Sequence, residues 1–339
     1  MQPAATQANV MRLGDRIYVA GHGGLVGGAL VRALKAEGHT DIITRGSREL
    51  DLRDQAAVRA LFEQERPQYV FLAAAKVGGI HANSTRPAEF LYDNMMIAAN
   101  VIHAAHVTGV TKLLNLGSTC IYPRDAAQPL REDALLTGPL EDTNRAYAVA
   151  KIAAIELCDQ YRAQYGSDFI SAMPTNLYGP GDNFDLMGSH VLPALIRKMV
   201  DARETHSPTV SIWGSGTPLR EFLHVDDLAD ACLFLMRHVS VPGPINVGTG
   251  QDLSIREVAE QIRAVVGYPG ELAFDASKPD GTPRKITDVS RIHAMGWHHR
   301  ISLEEGLSNT VAWYLAHRGQ VRGEALVGAG SGTAGTALA

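Results

Sequence analysis

From Arg16 onward the chain alternates short apolar runs rich in β-branched residues with longer segments of helical periodicity. That alternation restricts it to a parallel sheet wrapped by helices, because each strand must cross over through a helix to reach a parallel neighbour. RIYVAG, DIITR, YVFLAAA, KLLNLGS and the start of FISAMPTNLYGP read as strands. LVGGALVRALKAEG, ending at Gly38, QAAVRALFEQE, AEFLYDNMMIAANVIHAAHVTG and YAVAKIAAIELCDQYRAQYG read as the intervening helices. The predicted fold class is α/β, a Rossmann-type doubly wound parallel sheet with a smaller α/β substrate-binding domain.

After Tyr178 the texture changes. GPGDNFDLMGSH is a long loop, and later elements are less regularly spaced. Ser254 with Glu257 and Ser302 with Glu305 have the spacing of capping boxes and mark two helix starts. The predicted organisation is an N-terminal extension over 1–14 and a nucleotide-binding domain over 15–177, to which the chain returns at about 221–249. A substrate domain spans 178–220 and 250–323, and the Gly/Ala-rich 324–339 is a disordered tail.

Composition narrows the function classes. The 339 residues are 45% hydrophobic and 20% charged, with a net charge of −5 and no run of basic residues. Nucleic acid and anionic membrane are therefore not expected partners. No apolar stretch reaches the ~18 residues of a spanning helix, and the first residues lack the apolar core of a signal peptide. Cys120, Cys158 and Cys232 are far apart and unpaired in pattern, so neither a disulfide framework nor a metal site is expected, and a reducing, cytoplasmic setting fits.

The loop VAGHGGLVGGAL joins the first strand to the first helix. Its glycines fit G-x-x-G-x-x-G at Gly21, Gly24 and Gly27. Absent side chains let backbone approach a pyrophosphate at the helix N-terminus. The second strand ends in ITRGSRELD, with Arg45 and Arg48 and no acid before Glu49. Guanidinium groups suit a 2′-phosphate, so NADP(H) is preferred to NAD. Asp51 is a further candidate, near the adenine.

Tyr147 and Lys151 stand one helical turn apart on one face. An ammonium there favours the phenolate and draws the tyrosine toward a useful acid/base range. Ser118 follows a strand end, where doubly wound folds place their ligands, and its hydroxyl can bond a carbonyl oxygen.

AGHGGLVG, LGST, YAVAK and PTNLYGPGDNF resemble the extended short-chain dehydrogenase/reductases. LAAAKVGGIHAN, STCIYP, IWGSGTPLREFLHVDD and DASKPDGTPRK resemble, within them, the GDP-L-fucose synthase family, over roughly Arg16 to Gly323. The resemblance implies NADPH-dependent conversion of GDP-4-keto-6-deoxy-D-mannose to GDP-L-fucose, by inversion at carbons 3 and 5 and then reduction of the 4-ketone. It implies Ser118, Tyr147 and Lys151 as the reductase triad, Cys120 as base and His190 as acid. Gly21, His22, Gly23, Gly24, Leu25, Val26, Gly27, Arg45, Arg48, Leu116, Gly117, Ser118, Thr119, Lys151, Pro174, Thr175, Asn176, Leu177 and His190 would line the cofactor. Asn176, Lys198, Trp213, Arg220, Asp280 and Lys285 would contact the GDP-sugar. A homodimer is implied too, built on the long helix before Gly109 and the Tyr147 helix.

The chemistry asks for such a pair. A proton next to a ketone becomes acidic when the enolate oxygen is stabilised, and inversion removes it from one face and returns it from the other. Cys158 and Cys232, among apolar helix neighbours, are expected to be inert. Relatives often carry arginine where this chain has Gly23 and Ser47, which leaves the 2′-phosphate to Arg45 and Arg48. The alternatives are another NDP-sugar epimerase or reductase of the extended family, or a non-catalytic dinucleotide sensor.

Overall fold

The computed structural model describes residues 11–186, 188–278 and 280–320. Most of the expected N-terminal extension and the whole Gly/Ala-rich tail lie outside the described residues. Strand β1 (Ile17–Ala20) leads through helix α1 (Leu25–Ala36) to a two-residue β2 (Ile42–Ile43). Helix α2 (Gln55–Glu65), β3 (Tyr69–Leu72), a short α3 (Ile80–Thr85), α4 (Pro87–Val107), β4 (Lys112–Leu116), α5 (Arg145–Tyr165) and β5 (Phe169–Pro174) follow. Then come β6 (Asn176–Tyr178), α6 (Val191–Glu204), β7 (Thr209–Trp213), β8 (Leu219–His224), α7 (Val225–His238) and β9 (Pro244–Val247). The chain continues through β10 (Asp252–Ser254), α8 (Ile255–Val266), β11 (Glu271–Asp275), β12 (Arg284–Lys285), α9 (Ser290–Ala294) and α10 (Leu303–His317).

The main sheet has the order β2-β1-β3-β4-β5-β9, every pair parallel. This is a doubly wound Rossmann-type sheet. Its strands are buried along their whole length at β1, β3, β4, β5 and β9, because helices cover both faces. Helices α1 and α7 pack on one face around Leu30, Leu34, Leu228 and Leu235. Helices α2, α4 and α5 cover the other around Phe62, Val101 and Cys158.

A second core lies beyond β5. Helices α6, α8 and α10 enclose Ile196, Met199, Ile262 and Leu307 beside the parallel pair β7–β11. A small sheet centred on β8 joins the two regions: β10 pairs with it antiparallel, and β12 and β6 pair with it parallel. The Ser254 capping box forms in full, with Glu257 N donating to Ser254 Oγ at 3.1 Å and Ser254 N donating back to Glu257 Oε2 at 2.8 Å. At α10, Ser302 Oγ accepts from Glu305 N at 3.2 Å, one half of such a box.

Candidate active site

The glycine loop is shaped by close approach. Gly21 has φ +88°, and a Cβ on it would stand 2.7 Å from the Ala74 backbone, so the loop lies directly against the segment leaving β3. Gly24 begins α1 with no capping side chain and no acid in the first turn, while Gly23 has open space where a Cβ would be and a Cβ on Gly24 would meet only Gly21 O, at 3.5 Å. His22 Nδ1 is buried without a protein partner. An uncapped helix start behind an open glycine turn fits a dinucleotide pyrophosphate. Gly27 backs onto Gly21, and Leu25 and Val26 pack into the core below.

The two arginines after β2 differ. Arg45 donates to Glu65 Oε1 at 2.6 Å and to Thr44 O, so its guanidinium is already engaged. Arg48 is exposed beside it. Asp51 is committed to Arg53, which holds its carboxyl down at about 2, and Arg53 reaches on to Asp93.

At the end of β4, Gly117 and Ser118 turn the chain into a 3-10 turn, Thr119–Ile121, with Ser118 Oγ accepting from Cys120 N at 3.5 Å. Helix α5 packs on this segment. Lys151, buried, donates from Nζ to Leu116 O at 2.7 Å and stands 5.8 Å from the centroid of the Tyr147 ring. Phe90 meets that ring edge-on at 6.4 Å. Burial lowers Lys151 to about 8. Tyr147 is raised above its ordinary 10.0, by burial first and by Cys120 second. That is opposite to the lowering expected from the Tyr-Lys spacing, because the ammonium is directed at Leu116 O while desolvation dominates at the phenol. A phenol kept protonated suits the donor of a proton to a ketone.

Cys120 is buried at the same place. Burial raises its thiol, opposed by Lys285, by a hydrogen bond from Ser118 and by Lys151, in that order. His190 is lowered by burial and then by Lys285. The residue is nonetheless exposed at the surface. Ser118, Cys120, Tyr147, Lys151, Lys285 and His190 therefore belong to one electrostatic neighbourhood. His190 is the N-cap residue of α6, without a side-chain bond, and the neighbouring Ser189 Oγ is buried and unpartnered.

The strand ends β5–β6 supply Pro174, Thr175, Asn176 and Leu177. Thr175 N donates to Val247 O at 3.1 Å, and Asn176 Nδ2 donates to Glu221 O at 2.8 Å. Arg220 on β8 and Lys285 on β12 are register partners. Burial lowers both, and Arg220 lowers Lys285 further as a like charge. Trp213, at the end of β7, is 65% exposed, with Lys198 and Lys278 at 5.9 and 5.8 Å from its ring centroid. An exposed indole flanked by cations is a platform for a nucleobase. Asp280 accepts from Ser215 N and Oγ at 2.7 and 2.8 Å, closing the turn that follows Trp213.

Two residues at this site escape the sequence reading. Lys278 lies in DASKPDGTPRK, the run that also carries the candidates Asp280 and Lys285, but is not itself a candidate. Glu221 lies between Arg220 and Phe222, where its signal is an acid inside a strand whose neighbours are buried on both faces. Cys158 and Cys232 are buried, and burial raises both thiols, Cys158 to about 12. Among the described residues no cluster of three or more His, Cys, Asp or Glu could hold a metal, and no helix is long and apolar enough to cross a membrane.

Residues 17–248 match the NAD dependent epimerase/dehydratase family. The chain is 56% identical over 300 residues to GDP-L-fucose synthase 1 of Arabidopsis thaliana, covering 88% of this chain and 93% of that protein. It is 54% identical over 318 residues to GDP-L-fucose synthase of Escherichia coli K12, covering 91% and 99%. A crystal structure of a GDP-L-fucose synthetase from Naegleria fowleri bound to NADP superposes with a TM-score of 0.88 at 32% identity, covering 94% of this chain and 98% of that one.

Proposed function

The chain belongs to the NAD dependent epimerase/dehydratase family and within it to the GDP-L-fucose synthases, and on that premise we propose that one site both epimerises and reduces GDP-4-keto-6-deoxy-D-mannose. The protein is an NADP-dependent GDP-sugar epimerase/reductase. The observation that most supports the two-stage reading is the shared neighbourhood of Cys120, Tyr147 and Lys151, with Lys285 acting on both Cys120 and His190.

In this reading Ser118 and Tyr147 bond the 4-keto oxygen and hold the charge that develops there when a neighbouring proton leaves. Cys120 takes the proton from carbon 3 or carbon 5, and His190 returns one from the opposite face. Cys120 as thiol with His190 neutral carries the same number of protons as thiolate with imidazolium, so the resting pair needs no net proton to become base and acid. The glycine turn and α1 hold the pyrophosphate of NADPH, and Arg48 is the free guanidinium for its 2′-phosphate. NADPH, when bound, supplies the two electrons of the reduction. Tyr147 then gives its proton to the 4-oxygen, with Lys151 fixing the geometry of that end of the site. Arg220 and Lys285, two adjacent cations that repel each other, receive the substrate diphosphate, and Trp213 its base.

The same reading assigns 15–177 and the return at about 221–249 to the cofactor and 178–220 with 250–323 to the sugar nucleotide. It makes the protein a homodimer through α4 and α5, and a free thiol base fits the reducing cytoplasm. The test is incubation with GDP-4-keto-6-deoxy-D-mannose in D2O with NADPH or NADH. Deuterium at carbons 3 and 5 and a GDP-L-fucose product are expected with NADPH, and reduction without deuterium uptake would overturn the epimerase stage.

A further inference from the structure

The side chain of Glu221 has no exposed surface. Its carboxylate is held entirely by neutral donors from two other segments. Oε1 accepts from Thr249 N at 2.7 Å and Gly250 N at 2.8 Å, and Oε2 accepts from Thr287 N at 2.8 Å and Thr287 Oγ1 at 2.7 Å. The fit leaves no spare room: a Cβ on Gly248 would stand 2.2 Å from Oε1 and 2.5 Å from Thr287 Oγ1. A buried carboxylate is costly unless its oxygens are met by well-placed donors, so three separate stretches of chain must converge for the strand to close.

What those stretches carry gives the residue its role. Thr287 follows Lys285 by two residues, and Glu221 is adjacent to Arg220, the register partner of Lys285. The main-chain oxygen of Glu221 accepts Asn176 Nδ2 at 2.8 Å. Arg220 and Lys285 lie side by side although Arg220 disfavours the charge on Lys285, so the pairing of β8 with β12, and not mutual attraction, keeps them together. We propose that Glu221 is a positioning residue for the GDP-sugar site: by clamping β8 to the β12–Thr287 segment and to the Thr249–Gly250 turn, it sets Arg220 and Lys285 at the separation that receives a nucleoside diphosphate. The proposal rests on the reading above that these two cations bind the substrate diphosphate. Strand alternation explains how one strand does both jobs. Arg220 and Glu221 point to opposite faces, so the cation faces ligand while the acid is locked behind it.

The test uses GDP and NADPH as separate probes of the whole protein, with dissociation constants measured by calorimetry. Glu221→Gln keeps the volume but turns one oxygen into an NH2 group facing donors, and is expected to weaken GDP by about tenfold while NADPH changes less than about twofold. Thr287→Val, which loses one hydroxyl bond and keeps the main-chain one, is expected to show the same selectivity at smaller size. Unchanged GDP affinity in a folded Glu221→Gln protein overturns the proposal. Equal weakening of both ligands also overturns it, since that is the mark of general structural damage. Where Glu221→Gln does not fold, the same two readings of Thr287→Val decide. Arg220→Ala and Lys285→Ala separate the layers: normal GDP binding in both would show that the diphosphate reading had failed, and the clamp's role with it.

Discussion

Lys151 Nζ donates to Leu116 O across 2.7 Å, which ties the middle of α5 to the strand end that carries Ser118 and Cys120. Burial holds this ammonium near 8, so it loses its proton about where the reductive stage would be measured. A lysine with a lowered value is charged below that point and neutral above it. The kcat/KM for NADPH oxidation should therefore fall as pH rises through about 8. Tyr147→Phe removes the proton donor and should cut NADPH oxidation by about 10²–10⁴-fold, while solvent-deuterium uptake into the keto sugar should fall less, because Ser118 still bonds the 4-keto oxygen. Stopped uptake in that variant would show that Ser118 alone cannot hold the enolate charge.

The Cys120 and His190 pair predicts a different pH profile for the epimerisations. The imidazole is lowered below 6.5 and the thiol raised above 9.0. The pair therefore holds one shared proton over a window wider than the ordinary values would give. Deuterium wash-in followed as kcat/KM should be flat across neutral pH, with limbs below 6.5 and above 9.0. Cys120→Ser should reduce wash-in by at least about 10²-fold, and normal uptake by the serine variant would remove Cys120 from the base role.

The main sheet was legible because its signals are local. Each buried parallel strand is a short apolar run, and each crossover helix carries its own period and stop, as at Gly38. The glycine turn and the Tyr147–Lys151 spacing are legible for the same reason. The small sheet around β8 was not, because its strands are two to six residues long and find partners far away in sequence, as Lys285 does with Arg220. Glu221 was hidden for that reason too: a glutamate whose partners are main-chain N–H groups leaves no complementary charge to notice in the sequence. The direction of the Tyr147 shift was missed because spacing shows the nearby ammonium and not the desolvation, which is larger.

Cofactor choice turns on which guanidinium is free. Arg45 is held by Glu65 at 2.6 Å, whereas Arg48 is exposed. Arg48→Ala should raise the KM for NADPH by about tenfold, the scale of one charge-assisted contact, and leave the KM for NADH nearly unchanged. Arg45→Ala should have a smaller effect on NADPH and should cost the ion pair to Glu65. A larger loss from Arg45 than from Arg48 would reverse the assignment.

Assembly can be argued from the outer faces of α4 and α5. Tyr92, Met95 and Val107 are exposed at helical spacing on α4, and Val149 and Tyr165 are exposed on α5. The two helices pack against each other and together leave several large apolar side chains exposed on their outer surface, which a partner would cover. A second copy related by a two-fold axis would cover it with the same four helices, a self-complementary arrangement. Sedimentation should give twice the 36.4 kDa of one chain. Met95→Glu with Val149→Glu places four charges in the centre of such an interface and should yield monomers, because unpaired buried charges cost several kcal/mol each. The substitutions are at exposed positions of the single chain, so its own stability should change by no more than about 0.5 kcal/mol per site. A double variant that still sediments as a dimer would place the interface elsewhere on the protein.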